Sequence, residues 1–460
     1  MKLFLLLTIL LIPGFKSFAQ EKVPVVRTKM NSLIMYIDKE RGNFNNINDI
    51  PNPFTYDLGL ENENSTLGIV SEKDSISMPL RYGEKSTFMI IREQKGDTLM
   101  ATFTSHRQIK AALFNDGYKK RFNGKVITEI PEVYELINIV FALTDYGKTE
   151  AIYKGTDYYK SVNMHFQPFS DDSVVKTIDS VLKVSSDMYA PLKMDSYAYQ
   201  FDNGRIVKHA VFDRASWGEV NELTPYIPAL ERFAKKSGFR SFYKENVNYY
   251  AGLIADFEKN VDVGMMKSWL EKQFPKTKYS AIRVIFSPLV GWNQSANNFE
   301  DNGFKEAHAH INFPFVLKNN SVTKEDPDFR KGQRMMIAFT EINHSYLNPE
   351  AEIYVKEISK SFGDLTRWIT PGKPSGGYNN VLSCFEEYMN YGLVTLLYSD
   401  VFDQATFSEL KAGMENNMVN GRGFLRFKEF NEELLRLYQS KKTGETVADL
   451  YPAVIKWAGQ

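Results

Sequence analysis

The chain has 460 residues, 43% of them hydrophobic and 14% aromatic, enough for more than one sizeable core and incompatible with bulk disorder. Lys+Arg and Asp+Glu both number 56, so the excess positive charge that draws a protein to nucleic acid is absent. One cysteine, Cys384, excludes an intramolecular disulfide and is expected to be buried.

In chain order, "MKLFLLLTILLIPGFKSFAQ" reads as a secretory signal peptide over residues 1–20. Lys2 is a charged start, Leu3 to Ile12 is an apolar run too short to span a bilayer, and Ser17 and Ala19 precede a cut near Ala19 or Gln20. No later segment has the length and apolarity of a membrane span. The expected mature protein is exported, to the periplasm or beyond the cell. Residues 21–120 are expected to form a small β-rich accessory domain. "SLIMYID" and "STFMIIREQKGDTLMATF" are strand-like, the second breaking into a hairpin at Lys95-Gly96-Asp97. The polar stretch 43–66 between them is expected to be loop.

From 127 the period changes to that of helices. Val133, Leu136, Ile137, Val140, Phe141 and Leu143 share one face, opened by Pro131. Further helices are expected at 171–184, 214–236, 246–258 and 262–273. "YSAIRVIFSPL" (279–289) reads as a buried strand, followed by a Gly/Asn-rich loop and a second strand, "AHAHINFPF" (307–315). Helices at 327–346, 350–368, 378–399 and 427–439 complete the expectation. "GKPSGG" (372–377) lacks the spacing of a phosphate-binding loop. The fold class is therefore α+β: a β domain, then a mainly helical domain over 127–460 with a short strand element.

Chemistry concentrates at "AFTEINHSYLNPE" (338–350). With His in place of Thr340 it would read H-E-x-x-H, whose two imidazoles, four residues apart on one helix face, grip zinc. The Glu between them then deprotonates the zinc-bound water. Here His344 and Glu341 stand in frame, but Thr340 offers only a hydroxyl, a poor zinc ligand. Downstream, "SCFEEYMNYGLVTLLY" is a helix with Glu386 and Glu387, either a candidate third ligand. These residues alone leave two readings open: a metal site or its remnant, or an ordinary helix flank with a solvated Glu386–Glu387 face.

Much of residues 127–460 resembles a family of secreted bacterial proteins, common in Bacteroidetes, that carry a domain of unknown function and are similar to gluzincin metallopeptidases. Its members often show H-E-F-x-H-x-x-x-N-P. The matching stretches are "YELINIVFALTDYG", "VNMHFQPFSDDSVVKTIDSVL", "VIFSPLVGWNQ", "FTEINHSYLNP" with Asn348-Pro349 ending the helix, "GFLRFKEFNEELLRLYQ" and "LYPAVIKWAG". The resemblance implies a gluzincin-like fold with metal ligands at the positions of Thr340, His344 and Glu387 and with Glu341 as general base. Two departures stand out: Thr340 replaces the first His, and Tyr391 stands where relatives are expected to carry a basic residue. Zinc is accordingly expected to be weakly held or lost. His308 and His310, two apart on a strand, are the candidate replacements; the alternative puts them on the polar, exposed side of that strand. Two functions follow. One is residual zinc-dependent hydrolysis of peptides; the other is a non-catalytic protein that keeps the cleft and a strand edge for peptide or protein ligands.

Overall fold

A computed structural model describes residues 23–38, 40–44, 46–314 and 327–460. The expected signal peptide and the last residue of the 307–315 strand lie outside the described residues. The chain is α+β, with a β region over residues 25–108 and a mainly helical part after it that carries further strands.

Among the described residues, the first eight strands are β1 (Val25–Thr28), β2 (Leu33–Ile37), β3 (Glu40–Phe44), β4 (Phe54–Leu60), β5 (Asn64–Val70), β6 (Ser75–Arg81), β7 (Lys85–Arg92) and β8 (Asp97–Arg107). They form two sheets, β1-β7-β8-β4 and β3-β2-β5-β6. Alternation along β5 and β8 turns Leu67, Ile69, Leu99, Ala101 and Phe103 into one shared apolar core. The β7–β8 turn falls where expected. Gly96 takes φ +73° and its amide donates to Arg92 O at 2.8 Å. The stretch 43–66 is not all loop, since it holds β4 and the start of β5. Buried residues of β4 cluster at its end, Leu58 to Leu60, so no alternation marks it; parallel pairing with β8 makes it a strand.

Among the described residues, six more strands follow: β9 (Val126–Glu129), β10 (Tyr199–Asp202), β11 (Arg205–Lys208), β12 (Ala281–Ile285), β13 (Ser295–Asp301) and β14 (Phe304–His310). β10 and β11 make a hairpin, and the others a mixed sheet in the order β13-β14-β12-β9. β9, β12 and β14 run parallel, whereas β13 pairs antiparallel to β14 and is an edge strand. The sequence reading missed β13. Its Ser-Ala-Asn-Asn start has little intrinsic preference for a strand, and the turn at Asn302-Gly303, both at positive φ, folds it back on β14.

Helices Glu132–Leu143, Ser173–Val184, Val247–Asn260 and Val263–Gln273 match the periodicity, with Pro131 as the N-cap of the first. The helix expected at 214–236 begins only at Ile227. Before it, the backbone is irregular because the buried Asp195 carboxylate accepts the Ala215, Ser216 and Glu222 amides at 2.7–2.9 Å, bonds that no helix could share.

A 27-residue motif helix, Pro327–Ile353, packs against a 21-residue glutamate helix, Val381–Val401. Asn348-Pro349 does not end the motif helix as expected. Proline removes the amide that would bond Ser345 O; the Tyr279 hydroxyl donates to that carbonyl at 3.2 Å instead, and the helix continues. The helix expected at 350–368 is Val355–Phe362 followed by a single turn, Leu365–Arg367. Cys384 is buried, as expected. Among the described residues, no helix is long and apolar enough to cross a membrane.

The β region is docked on the two central helices. The Arg41 guanidinium reaches Glu352, at the end of the motif helix, and Glu386, on the glutamate helix, both at 3.0 Å. The Tyr36 hydroxyl donates to Glu352 at 2.8 Å.

Candidate functional site

The motif helix presents Glu341 and His344 toward the glutamate helix, where His344 Nε2 lies 3.7 Å from Glu387 Oε2. Two residues 43 positions apart thus meet across the two helices. Glu386 turns away to Arg41. Neither carboxylate is on a solvated face: the Glu386 and Glu387 side chains are 7% and 4% exposed. Asn390, one turn beyond Glu387, donates its amide to His344 Nε2 at 2.9 Å and to Glu387 Oε2 at 3.2 Å.

Arg422 completes the cluster, and the sequence offered no sign of it. It ends a π-helical turn, Asn417–Arg422, a geometry that often marks functional sites. Its guanidinium lies 2.7 Å from Glu387 Oε1, donates to the Tyr378 hydroxyl at 3.1 Å and stacks 4.8 Å over the Tyr391 ring. A cation therefore does adjoin position 391, where relatives were expected to carry a basic residue, but it arrives from another element. Gly423 follows at φ +88°, and its carbonyl accepts the Thr370 and Ser375 hydroxyls at 3.0 and 2.9 Å. The 372–377 loop is thereby the buttress of the Arg422 turn. Burial opposes ionisation of Glu387, yet Arg422 and His344 hold its carboxyl below the usual range.

The other wall is the loop before β13. Gly291 donates to Ala151 O at 2.8 Å, and a Cβ there would lie 2.1 Å from Glu150 O, so only glycine permits this approach. The pinned loop sets two neighbours. Asn293 O accepts the buried Lys193 ammonium at 2.5 Å. Gln294, with its amide in the orientation that satisfies both ends, donates to Glu341 Oε1 at 3.1 Å and to Ile337 O at 2.9 Å. Burial, reinforced by the Glu387 charge, pushes the Glu341 carboxyl up to about 8; burial pushes the Lys193 amine down to about 7. Sequence reasoning passed over Lys193, Gln294 and Asn390, which carry no spacing signature.

His308 and His310 are buried, not exposed on a polar strand face. They point to the sheet face opposite Ala307 and Ala309. There His308 Nε2 meets Glu306 at 2.8 Å, and His310 packs between the rings of Tyr134 and Tyr197. Neither joins His344. Among the described residues, no three His, Cys, Asp or Glu side chains gather as metal ligands.

Zinc wants three or four deprotonated donors converging on one point. The Thr340 hydroxyl donates to Met336 O, one turn back, at 3.0 Å. His344 Nε2 is taken by the Asn390 amide, and Glu387 by the Arg422 guanidinium. A guanidinium beside the glutamate also repels a divalent cation. In this arrangement the residues do not fit zinc. His344, Asn390, Glu387 and Arg422 form a hydrogen-bonded cluster beside the half-buried Glu341.

No curated protein and no solved structure matches the chain. A family model described as Domain of unknown function (DUF4932) matches residues 126–457, most of the chain and nearly all of the helical part. The chain belongs to that family.

Proposed function

We propose that the chain is an exported relative of gluzincin peptidases that has exchanged its metal for a guanidinium and binds extended polypeptide without cleaving it. The Arg422–Glu387 ion pair carries this reading: the carboxylate that would hold zinc is neutralised from within the chain. The order of elements supports descent from a peptidase. Strands β12, β13 and β14 precede the motif helix, the glutamate helix follows it, and His344 faces Glu387 across the two. β13 supports the ligand class. It is an edge strand that begins at Ser295, next to the Gln294 that touches Glu341, so a polypeptide added along it would run out of the cluster. The second reading, residual zinc-dependent hydrolysis with Glu341 activating water, is favoured by the retention of Glu341, His344 and Glu387 together.

Metal analysis and zinc titration separate the two. Purified wild-type chain is expected to carry no stoichiometric zinc and to bind it weakly. Thr340→His aims an imidazole at the site by helix geometry, yet alone it leaves Glu387 paired. Thr340→His with Arg422→Gln is expected to bind zinc roughly 10–100-fold tighter than Thr340→His alone, and Glu387→Ala in that background to abolish the gain. One tightly held zinc per wild-type chain, with peptide cleavage stopped by a chelator, would overturn the proposal.

A further inference from the structure

The outer edge of β13 is already occupied by the chain itself. The Trp217 indole N–H donates to Ala296 O at 2.8 Å. Asn297 Oδ1 accepts the Asn298 amide at 2.9 Å, while its Nδ2 donates to Ala215 O and Ser216 O at 3.0 and 3.1 Å. In an antiparallel pair, every second residue turns both its amide and its carbonyl away from the partner. Ala296 and Asn298 are two successive such residues, the pair that an added strand would engage first.

We infer that Trp217–Val220 is a strap, rooted in the buried Ala215–Ser216 turn, whose indole sits on β13 where an extended polypeptide would bind and must yield before one can bind. This rests on the polypeptide-binding reading above and adds its regulation. Asp195 anchors the base of the strap through the Ala215, Ser216 and Glu222 amides. Ala215 and Ser216 are buried and stay in place, so the part that yields lies between them and Glu222. Trp217 is 58% exposed and Val220 62%. The tip crosses to the β region, where Glu219 accepts the Gly59 amide of β4 at 3.0 Å and lies 3.6 Å from His106. A ring this exposed buries little apolar surface, and its N–H bond to Ala296 O is the one an incoming strand replaces. The occupant it mimics is an extended segment of another protein, recognised by main-chain bonds.

Trp217→Phe keeps a ring and removes the N–H, at a position too exposed to threaten folding. The full-length mature chain and this variant would be titrated by anisotropy against fluorescein-labelled, reduced and carboxymethylated insulin B chain, an unfolded polypeptide. Hydrogen exchange along β13 would be followed in parallel. The variant is expected to bind about five-fold tighter than wild type, with bound probe slowing exchange at the Ala296, Asn298 and Glu300 amides. Equal binding by the two chains would overturn the strap and leave the polypeptide reading standing, the indole then being edge protection alone. Tighter binding without protection of β13 would also overturn the strap. Absence of binding to either chain would overturn both.

Discussion

Glu135 shows how much a single buried carboxyl shapes this molecule's response to pH. It is fully buried in helix Glu132–Leu143, accepts the Tyr158 hydroxyl at 2.7 Å, and is pushed up to about 7 by burial. The folded chain therefore keeps a proton that the unfolded chain releases near the ordinary 4.5. The contribution of Glu135 to stability is fully present below that value and declines as pH rises toward 7. Glu135→Gln is expected to shrink the fall in urea midpoint between pH 5 and pH 7, by the equivalent of roughly 2 kcal/mol. Glu386, raised to about 7, and Glu341, raised to about 8, keep their own shares of the slope, so an unchanged slope in the variant would reassign the effect to those two. At the site, the sequence could say that His344 and Glu387 share a neighbourhood, because helix spacing and element order bring them together. It could not say that Arg422 would pair with Glu387. That contact depends on a π turn and a buttressing loop, neither of which leaves a periodic trace.

Elements were legible where packing and local preference agree. The helices with a sustained apolar stripe came out within a few residues, since tertiary burial selects the same face that the 3.6-residue period exposes. β13 and residues 214–226 did not. One is a strand made of poor strand formers and held by its partner, the other an irregular run held by Asp195. The π turn before Gly423 belongs with them. Ala at 423 would have to adopt φ +88°, with its Cβ 2.9 Å from Lys373 Cβ and 3.0 Å from Ser375 Oγ. Gly423→Ala is expected to destabilise by roughly 1–3 kcal/mol and to loosen Arg422 from Glu387. Gly413, within helix Gln404–Asn416 and facing open space, is the control. Gly413→Ala is expected to raise stability by roughly 0.5–1 kcal/mol. Thermal melts of the two variants check both signs.

For the molecule as a whole, the decisive contact is Arg41. It joins the β region to both central helices through Glu352 and Glu386. Arg41→Ala would leave two nearly buried carboxylates without a cation, expected to cost roughly 2–4 kcal/mol. All five tryptophans, at 217, 269, 292, 368 and 457, lie in the helical part, so fluorescence reports that part alone while hydrogen exchange reports the strands. Wild type is expected to lose both signals together in urea, and Arg41→Ala to release protection in β1–β8 first. Coincident loss in the variant would show that Arg41 is not the joint. Because Arg41 touches Glu386 and the next residue is Glu387, the joint also sets up a thermodynamic reciprocity. Whatever binds at the Glu387 cluster and shifts the two helices alters the affinity of the β surface for its own ligands by some factor, and a ligand on the β surface alters binding at the cluster by that same factor. The β region is, in that sense, a second input to the site.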